Sequence, residues 1–201
     1  MPRKTNRSYK KGAPHRDARL IIIATEGAKR EKEYFEFLVH GNQRVKVRVL
    51  APTDEDEGKS APRWVMNRAA KYVDKFGLSE EDQLWLVIDL DKWALDQVHE
   101  IAQECVERKG WNIAISNPCF EVWLFLHYAT INKTESQTCS QLKTGLGNII
   151  KGGYNLGAIA HRINLAIDRA RASDSNKAHF LPNPMETKAY LLVEQLVRFI
   201  S

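Results

Sequence analysis

Residues 84–91 read Leu84-Trp85-Leu86-Val87-Ile88-Asp89-Leu90-Asp91. An apolar run followed at once by two acids is the pattern of a strand buried on both faces that ends where its backbone reaches water. Upstream, Arg19-Leu20-Ile21-Ile22-Ile23-Ala24-Thr25-Glu26-Gly27 has the same design: a run rich in β-branched residues, then an acid and a glycine. Downstream, Trp111-Asn112-Ile113-Ala114-Ile115-Ser116-Asn117 is another such run. Val45 to Leu50 instead alternates, with Val45, Val47 and Val49 against Lys46 and Arg48, and reads as a half-exposed or edge strand.

The segments between these strands have helical period. Over 28–40, Glu31, Tyr34, Phe35 and Leu38 share one face. Ser60 is positioned to cap a helix over 61–76 that turns Trp64, Val65, Ala69 and Tyr72 inward and stops at Gly77. A helix over 93–109 is closed by Gly110. Asn117 and Pro118 suit the cap and first position of the very apolar helix that follows. Strand and helix alternating over 18–130 predict an α/β fold, a parallel sheet of about four strands with helical crossovers. Residues 131–157 are polar and Gly-rich and read as loose. Residues 158–172 carry a helical stripe, 173–184 a loop with Pro182 and Pro184, and the end of the chain a helix with Leu191, Leu192, Leu196, Val197 and Ile200. The expected organisation is a basic arm over 1–17, an α/β core over 18–130 and a helical extension over 131–201 packed on the same domain.

The 201 residues allow one domain, or one with a small appendage. A composition of 43% hydrophobic and 27% charged residues is ordinary for a globular chain. No apolar run approaches the roughly 18 residues of a membrane span, and no cleavable signal is expected. Cys105, Cys119 and Cys139 include no C-x-x-C pair, so neither a disulfide framework nor a cysteine zinc site is expected, and a reducing cytoplasm fits. The six histidines lack His-x-x-x-His spacing and read as structural or solvated. The net charge of +5 is uneven. Arg3, Lys4, Arg7, Lys10, Lys11, Arg16 and Arg19 face only Asp17 in the first nineteen residues, which leaves the remainder slightly acidic. Such an arm is either a solvated terminus or a phosphate-seeking segment that binds nucleic acid by releasing counterions.

Ligands of open parallel sheets bind beyond the carboxyl ends of the strands. Glu26, Asp89 and Asp91 fall there. Asp89 and Asp91, two apart in extended backbone, point to one side. Like charges so placed raise one another's pKa unless a cation lies between them, and hard oxygens suit Mg²⁺ or Mn²⁺. Asp-x-Asp is also a common turn or capping feature. Glu31 lies on the face that must pack on the sheet, and Glu121 is the one charge in Cys119-Phe120-Glu121-Val122-Trp123-Leu124-Phe125-Leu126. Each is either a site carboxylate or a structural acid in a first helical turn, and Glu121 could instead be the partner of a buried Arg.

Glu-Gly after the first strand and Asp-x-Asp after a later one resemble the Toprim motif of topoisomerases, primases and the nucleases of the OLD group. The wider pattern is more specific. Thr25-Glu26-Gly27 with Glu31, Tyr34 and Phe35, then Asp89-Leu90-Asp91, then Ser116-Asn117-Pro118-Cys119-Phe120-Glu121-Val122-Trp123-Leu124, resembles the RloB family and the second component of the AbiL abortive-infection system. Asn183-Pro184 before a leucine-rich helix is similar too. The resemblance spans roughly residues 17–200, and the stretch from Ser116 to Leu124 is its distinctive part. Arg30 stands where the family commonly has Thr.

The resemblance implies a Toprim-like core and a metal-dependent nuclease, the effector beside an ATPase of the ABC or AAA type in phage defence. One or two Mg²⁺ (or Mn²⁺) would be held by Glu26, Asp89 and Asp91. Glu31 and Glu121 would complete the metal surroundings or orient water, and Glu26 would move a proton. Lys151, in Lys151-Gly152-Gly153-Tyr154, is the candidate to steady developing phosphate charge. The alternative is a non-catalytic nucleic-acid- or partner-binding subunit of the same system, with structural carboxylates. An Asp-x-Asp phosphotransferase with Asp89 as nucleophile is disfavoured, since Lys92-Trp93 follows the motif and the strand is not the first.

Overall fold

The computed structural model describes residues 19–53, 61–91, 93–150 and 155–200. The strands form where the apolar runs place them: β1 (Arg19–Thr25), β2 (Val45–Leu50), β3 (Gln83–Asp89) and β4 (Trp111–Asn117). They are parallel, in the order β2-β1-β3-β4, so the alternating β2 lies at the edge and the apolar β1 and β3 lie inside.

Side chains alternate across a strand, and the two faces of the sheet therefore carry two cores. Ile22, Ala24, Leu84, Leu86 and Ile88 pack against α2 (Pro62–Phe76) and α3 (Leu95–Val106). Ile21, Ile23, Trp85 and Val87 pack against α1 (Arg30–Leu38), α4 (Glu121–Leu126), α5 (Cys139–Ile149), α7 (Ile163–Ser173) and α8 (Ala189–Ile200). The short α6 (Leu156–Ala160) adds Ile159 to that second core. Among the described residues no helix is long and apolar enough to cross a membrane.

Several local expectations are corrected. The chain contributes a fifth strand, β5 (Glu186–Thr187), antiparallel to β4 through Ser116↔Thr187 and Asn117↔Glu186. Two residues carry no periodicity that a sequence pattern could reveal. The strand is placed by Lys188 N–H to Ile115 O at 2.7 Å and Met185 N–H to Asn117 O at 2.8 Å. Ser60 lies outside the described residues; α2 starts at Pro62, with Ala61 at the cap. It turns Val65, Met66 and Ala69 inward, leaving Trp64 43% exposed and Tyr72 half-buried. The segment 131–157 is not all loose. A capping box between Thr138 and Gln141 starts α5, which buries Leu142 and Leu146, and Gly145 and Gly147 mask its helical signal in the sequence.

Asn117 does not cap α4. It is the last residue of β4, its side-chain amide donates to Pro182 O at 3.2 Å, and the peptide bond to Pro118 is cis. The cap position belongs to Phe120.

One buried polar contact ties the α1 and α4 layers together. His127, fully buried, has Nδ1 3.0 Å from Trp123 O and Nε2 3.2 Å from the Tyr34 hydroxyl. A carbonyl can only accept, so Nδ1 carries the proton and Nε2 accepts from Tyr34. Burial pulls the imidazole down to about 4. A base whose folded value lies below its unfolded one contributes stability that is complete above about pH 6.5 and is lost as the pH falls through about 4. Tyr34→Phe strands a buried acceptor and is expected to cost about 1–3 kcal/mol at neutral pH, measured by urea unfolding. An unchanged midpoint would show that the contact holds nothing.

Candidate functional site at the carboxyl ends of the strands

β3 lies between β1 and β4, so the segments following these three strands meet at one edge. The parallel ladder runs on past β1, with Glu26 N–H donating to Val87 O at 3.1 Å. This turns the Glu26 side chain toward the end of β3. Its Oε2 accepts from Asp89 N–H at 3.2 Å and its Oε1 from the Trp93 indole N–H at 3.1 Å. Asp89 Oδ1 in turn accepts from Phe120 N–H at 2.9 Å. The first free amides of a helix need acceptors, and here β3 supplies one to the start of α4. Leu90 N–H is shared between Ser116 O at 3.0 Å and Pro118 O at 2.9 Å, which fixes the two strand ends against each other.

Glu31 lies in the first turn of α1, and its carboxylate occupies the space over Gly27. A Cβ on Gly27 would meet both carboxylate oxygens, so a side chain there would displace the Glu31 carboxylate from the edge. Glu121 is buried at the first position of α4, and its Oε1 lies 3.6 Å from Lys143 Nζ on α5. Asp91 Oδ2 lies 3.3 Å from Cys139 Sγ. Sequence reasoning missed Lys143, Trp93 and Cys139. The Thr138-x-x-Gln141 capping box was the available signal for α5 and hence for Lys143; the Trp93 contact had none.

The expected carboxylates therefore surround Asp89, and the electrostatics register it. Burial first, then the charges of Glu31, Glu26, Glu121 and Asp91, push the half-buried Asp89 carboxyl well above its ordinary value. Glu31 is raised as well, mainly by burial and further by Glu121. Its own backbone N–H, Lys143 and Arg30 oppose the shift. Such mutual repulsion is what a cation would relieve, and the oxygens are of the hard kind that Mg²⁺ or Mn²⁺ prefers. The arrangement, however, does not fit an ion. Among the described residues no three Asp, Glu, His or Cys side chains are grouped to hold a metal. Both oxygens of Glu26 and one of Asp89 already receive protein N–H groups. Lys151 and the basic residues Arg3, Lys4, Arg7, Lys10, Lys11 and Arg16 lie outside the described residues.

Three scattered cysteines predict no disulfide framework, yet one pair is joined at this edge. Cys119 and Cys139 form a disulfide, and Cys105 remains free and buried. They are twenty residues apart in sequence, and only the packing of α5 against α4 brings them together.

Asp89→Asn keeps the acceptor for Phe120 N–H and removes the charge. A carboxyl raised in the folded state destabilises increasingly as the pH climbs through its raised value, because the unfolded chain releases the proton more readily. Denaturant unfolding at pH 5 and pH 8 in the presence of a chelator should show the variant gaining stability relative to the parent as the pH rises. A relative loss at pH 8 would mean that the negative charge itself is needed to hold the edge.

No curated protein and no solved structure matches the chain. A family profile described as RloB-like protein matches residues 21–196, which include all three strand ends, α1, α4 and the first two turns of α8. The α/β sheet with its antiparallel fifth strand and its C-terminal helical extension is of the Toprim-like kind. On a match that covers most of its length, the chain belongs to the RloB-like protein family.

Proposed function

We propose that the chain is a nucleic-acid-binding subunit in which the strand-end carboxylates brace the edge that presents it. The observation that carries this reading is the chain of protein donors on those carboxylates: Trp93 and Asp89 N–H on Glu26, and Phe120 N–H on Asp89. A carboxylate so engaged fastens β1 to β3 and β3 to α4, and none of them stands in a three-member metal group among the described residues. The arm over residues 1–17, with its six basic residues against one acid, supplies the phosphate contacts. Similarity to RloB and AbiL-type systems adds an ABC- or AAA-type ATPase partner and a phage-defence setting to the proposal.

The second reading is the metal-dependent nuclease, and one observation favours it. Burial, and then the four carboxylates around it, hold the proton affinity of Asp89 well above the ordinary range, as in a site short of positive charge. A divalent ion bound there would neutralise charge on a phosphodiester. Glu26 and Asp89 would first have to give up N–H partners.

Both readings are tested on the full chain with labelled DNA, RNA and tRNA. Binding followed by anisotropy across a salt series is expected to weaken with salt. Deleting residues 1–17 should flatten the log–log slope by several units, since each phosphate contact contributes about 0.7–0.9. An identical slope would remove the arm from the interface. Incubation of the same nucleic acids with Mg²⁺ or Mn²⁺ is expected to leave them intact. Cleavage that Asp89→Asn abolishes would replace the binding-subunit reading with the nuclease.

A further inference from the structure

The Cys119–Cys139 bond sits at a mechanically telling place. Cys119 lies in the link between β4 and α4, next to Phe120, whose N–H holds Asp89, and two residues before Glu121. Cys139 is the first residue of α5, and its Sγ lies 3.3 Å from Asp91 Oδ2. One turn further along α5, on the same helical face, Lys143 reaches Glu121 at 3.6 Å. Helix α5 thus meets the acidic edge at two points, one covalent and one ionic.

The other anchors of this end of α5 are apolar and ionic. No helix or strand lies between α4 and α5. Leu142, in the first turn, and Leu146 are buried. The Lys143 side chain is 57% exposed while Glu121 is buried, so solvent reaches the ammonium end of the pair. The two cysteine Cα atoms are 5.9 Å apart, inside the usual range for a disulfide, so the bond can open and close without a backbone rearrangement. Cys119 is only 2% exposed, whereas Cys139 is half-buried and open to a small reagent.

We propose that Cys119 and Cys139 are a reversible thiol–disulfide modification site that fastens the start of α5, and with it the Lys143 ammonium, over the acidic edge. The co-reactant is a small-molecule disulfide of the glutathione class. The deprotonated Cys139 thiol attacks one sulfur of that disulfide and expels one thiolate. The deprotonated Cys119 thiol then attacks the Cys139 sulfur and expels the second. The protein thiols give up two protons and two electrons, and the small disulfide is reduced to two thiols. Reduction of the protein reverses the exchange and leaves α5 held by its apolar contacts and the Lys143–Glu121 pair. In the bonded form Lys143 offsets part of the negative charge around Glu121 and Glu31. In the reduced form that charge is open to a cation or a basic partner.

The experiment uses the full chain, treated either with dithiothreitol or with glutathione disulfide, and reads out neither cleavage nor nucleic-acid binding. Its outcome is therefore separate from that of the proposed function. Alkylation of the denatured protein followed by mass measurement should find one free thiol after oxidation and three after reduction. Amide exchange in the first turn of α5 should be about tenfold faster in the reduced protein, with β1 and β3 unchanged. Acetylation of Lys143 by an amine-reactive ester should rise several-fold in parallel. Cys139→Ser, at a half-buried position that tolerates a hydroxyl, should show the fast behaviour under both treatments. Failure of glutathione disulfide to form the bond overturns the proposal. So does equal exchange of α5, or equal Lys143 acetylation, in the two forms.

Discussion

Negative charge concentrated around Asp89 is the constraint to which the strand-end edge answers. Three parallel strands stop side by side, and the residues just beyond them bring Glu26, Glu31, Asp91 and Glu121 around one half-buried carboxyl. Left unopposed, this assembly would push the edge apart. It is held instead by backbone N–H donors from Asp89 and Phe120, by the Trp93 indole, and by the Lys143 ammonium on a helix far along the chain. Each donor ties one element to another, so the carboxylates act as the joints between β1, β3, α4 and α5. Gly27 belongs to the same arrangement, because its missing side chain is where the Glu31 carboxylate lies.

The far side of β4 is secured by a second polar network, which explains why the C-terminal segment is part of the edge rather than an appendage to it. Lys188 and Asp174, both essentially buried, are joined at 2.6 Å, and the Tyr190 hydroxyl donates to the same carboxylate at 2.8 Å. Burial works to raise the Asp174 pKa, but the hydrogen bonds from Lys188 and Tyr190 outweigh it and hold the carboxyl below its ordinary range. Glu186, also buried, accepts from Lys133 and from the Ser175 hydroxyl. Breaking a buried pair of this kind by removing one partner typically costs about 3–5 kcal/mol, because the other charge is left stranded. The network sets β5 beside Ser116 and Asn117 and so fixes where β4 ends. Asn117, at first sight a helix cap, is consumed in this junction, and the start of α4 is capped from β3 instead.

This substitution of one acceptor for another illustrates what could be read along the chain and what could not. The apolar runs at Ile21–Ala24 and Leu84–Ile88 announce buried strands because each residue must be covered whichever face it points to. The alternating valines of β2 announce an edge. Helix α5 was hidden by its two glycines, although its capping box was legible at Thr138 and Gln141. Trp64 was misplaced because apolar residues 64–66 are consecutive, and only packing decides that Val65 and Met66 face the core and Trp64 does not.

By itself the sequence determined the α/β alternation, the parallel sheet, and the fact that acids follow its central strands, because burial and strand periodicity are local properties of the chain. It also carried the family likeness, which a profile matches over residues 21–196. Only the tertiary structure decided which partner each acid meets. Asp89 finds Phe120 thirty-one residues away, Glu26 finds Trp93 sixty-seven residues away, and Cys139 finds Cys119 twenty residues away, on the far side of α4. Those pairings depend on helix packing and on which hydrogen-bond donors lie within about 3 Å, and no spacing along a chain encodes a distance through space.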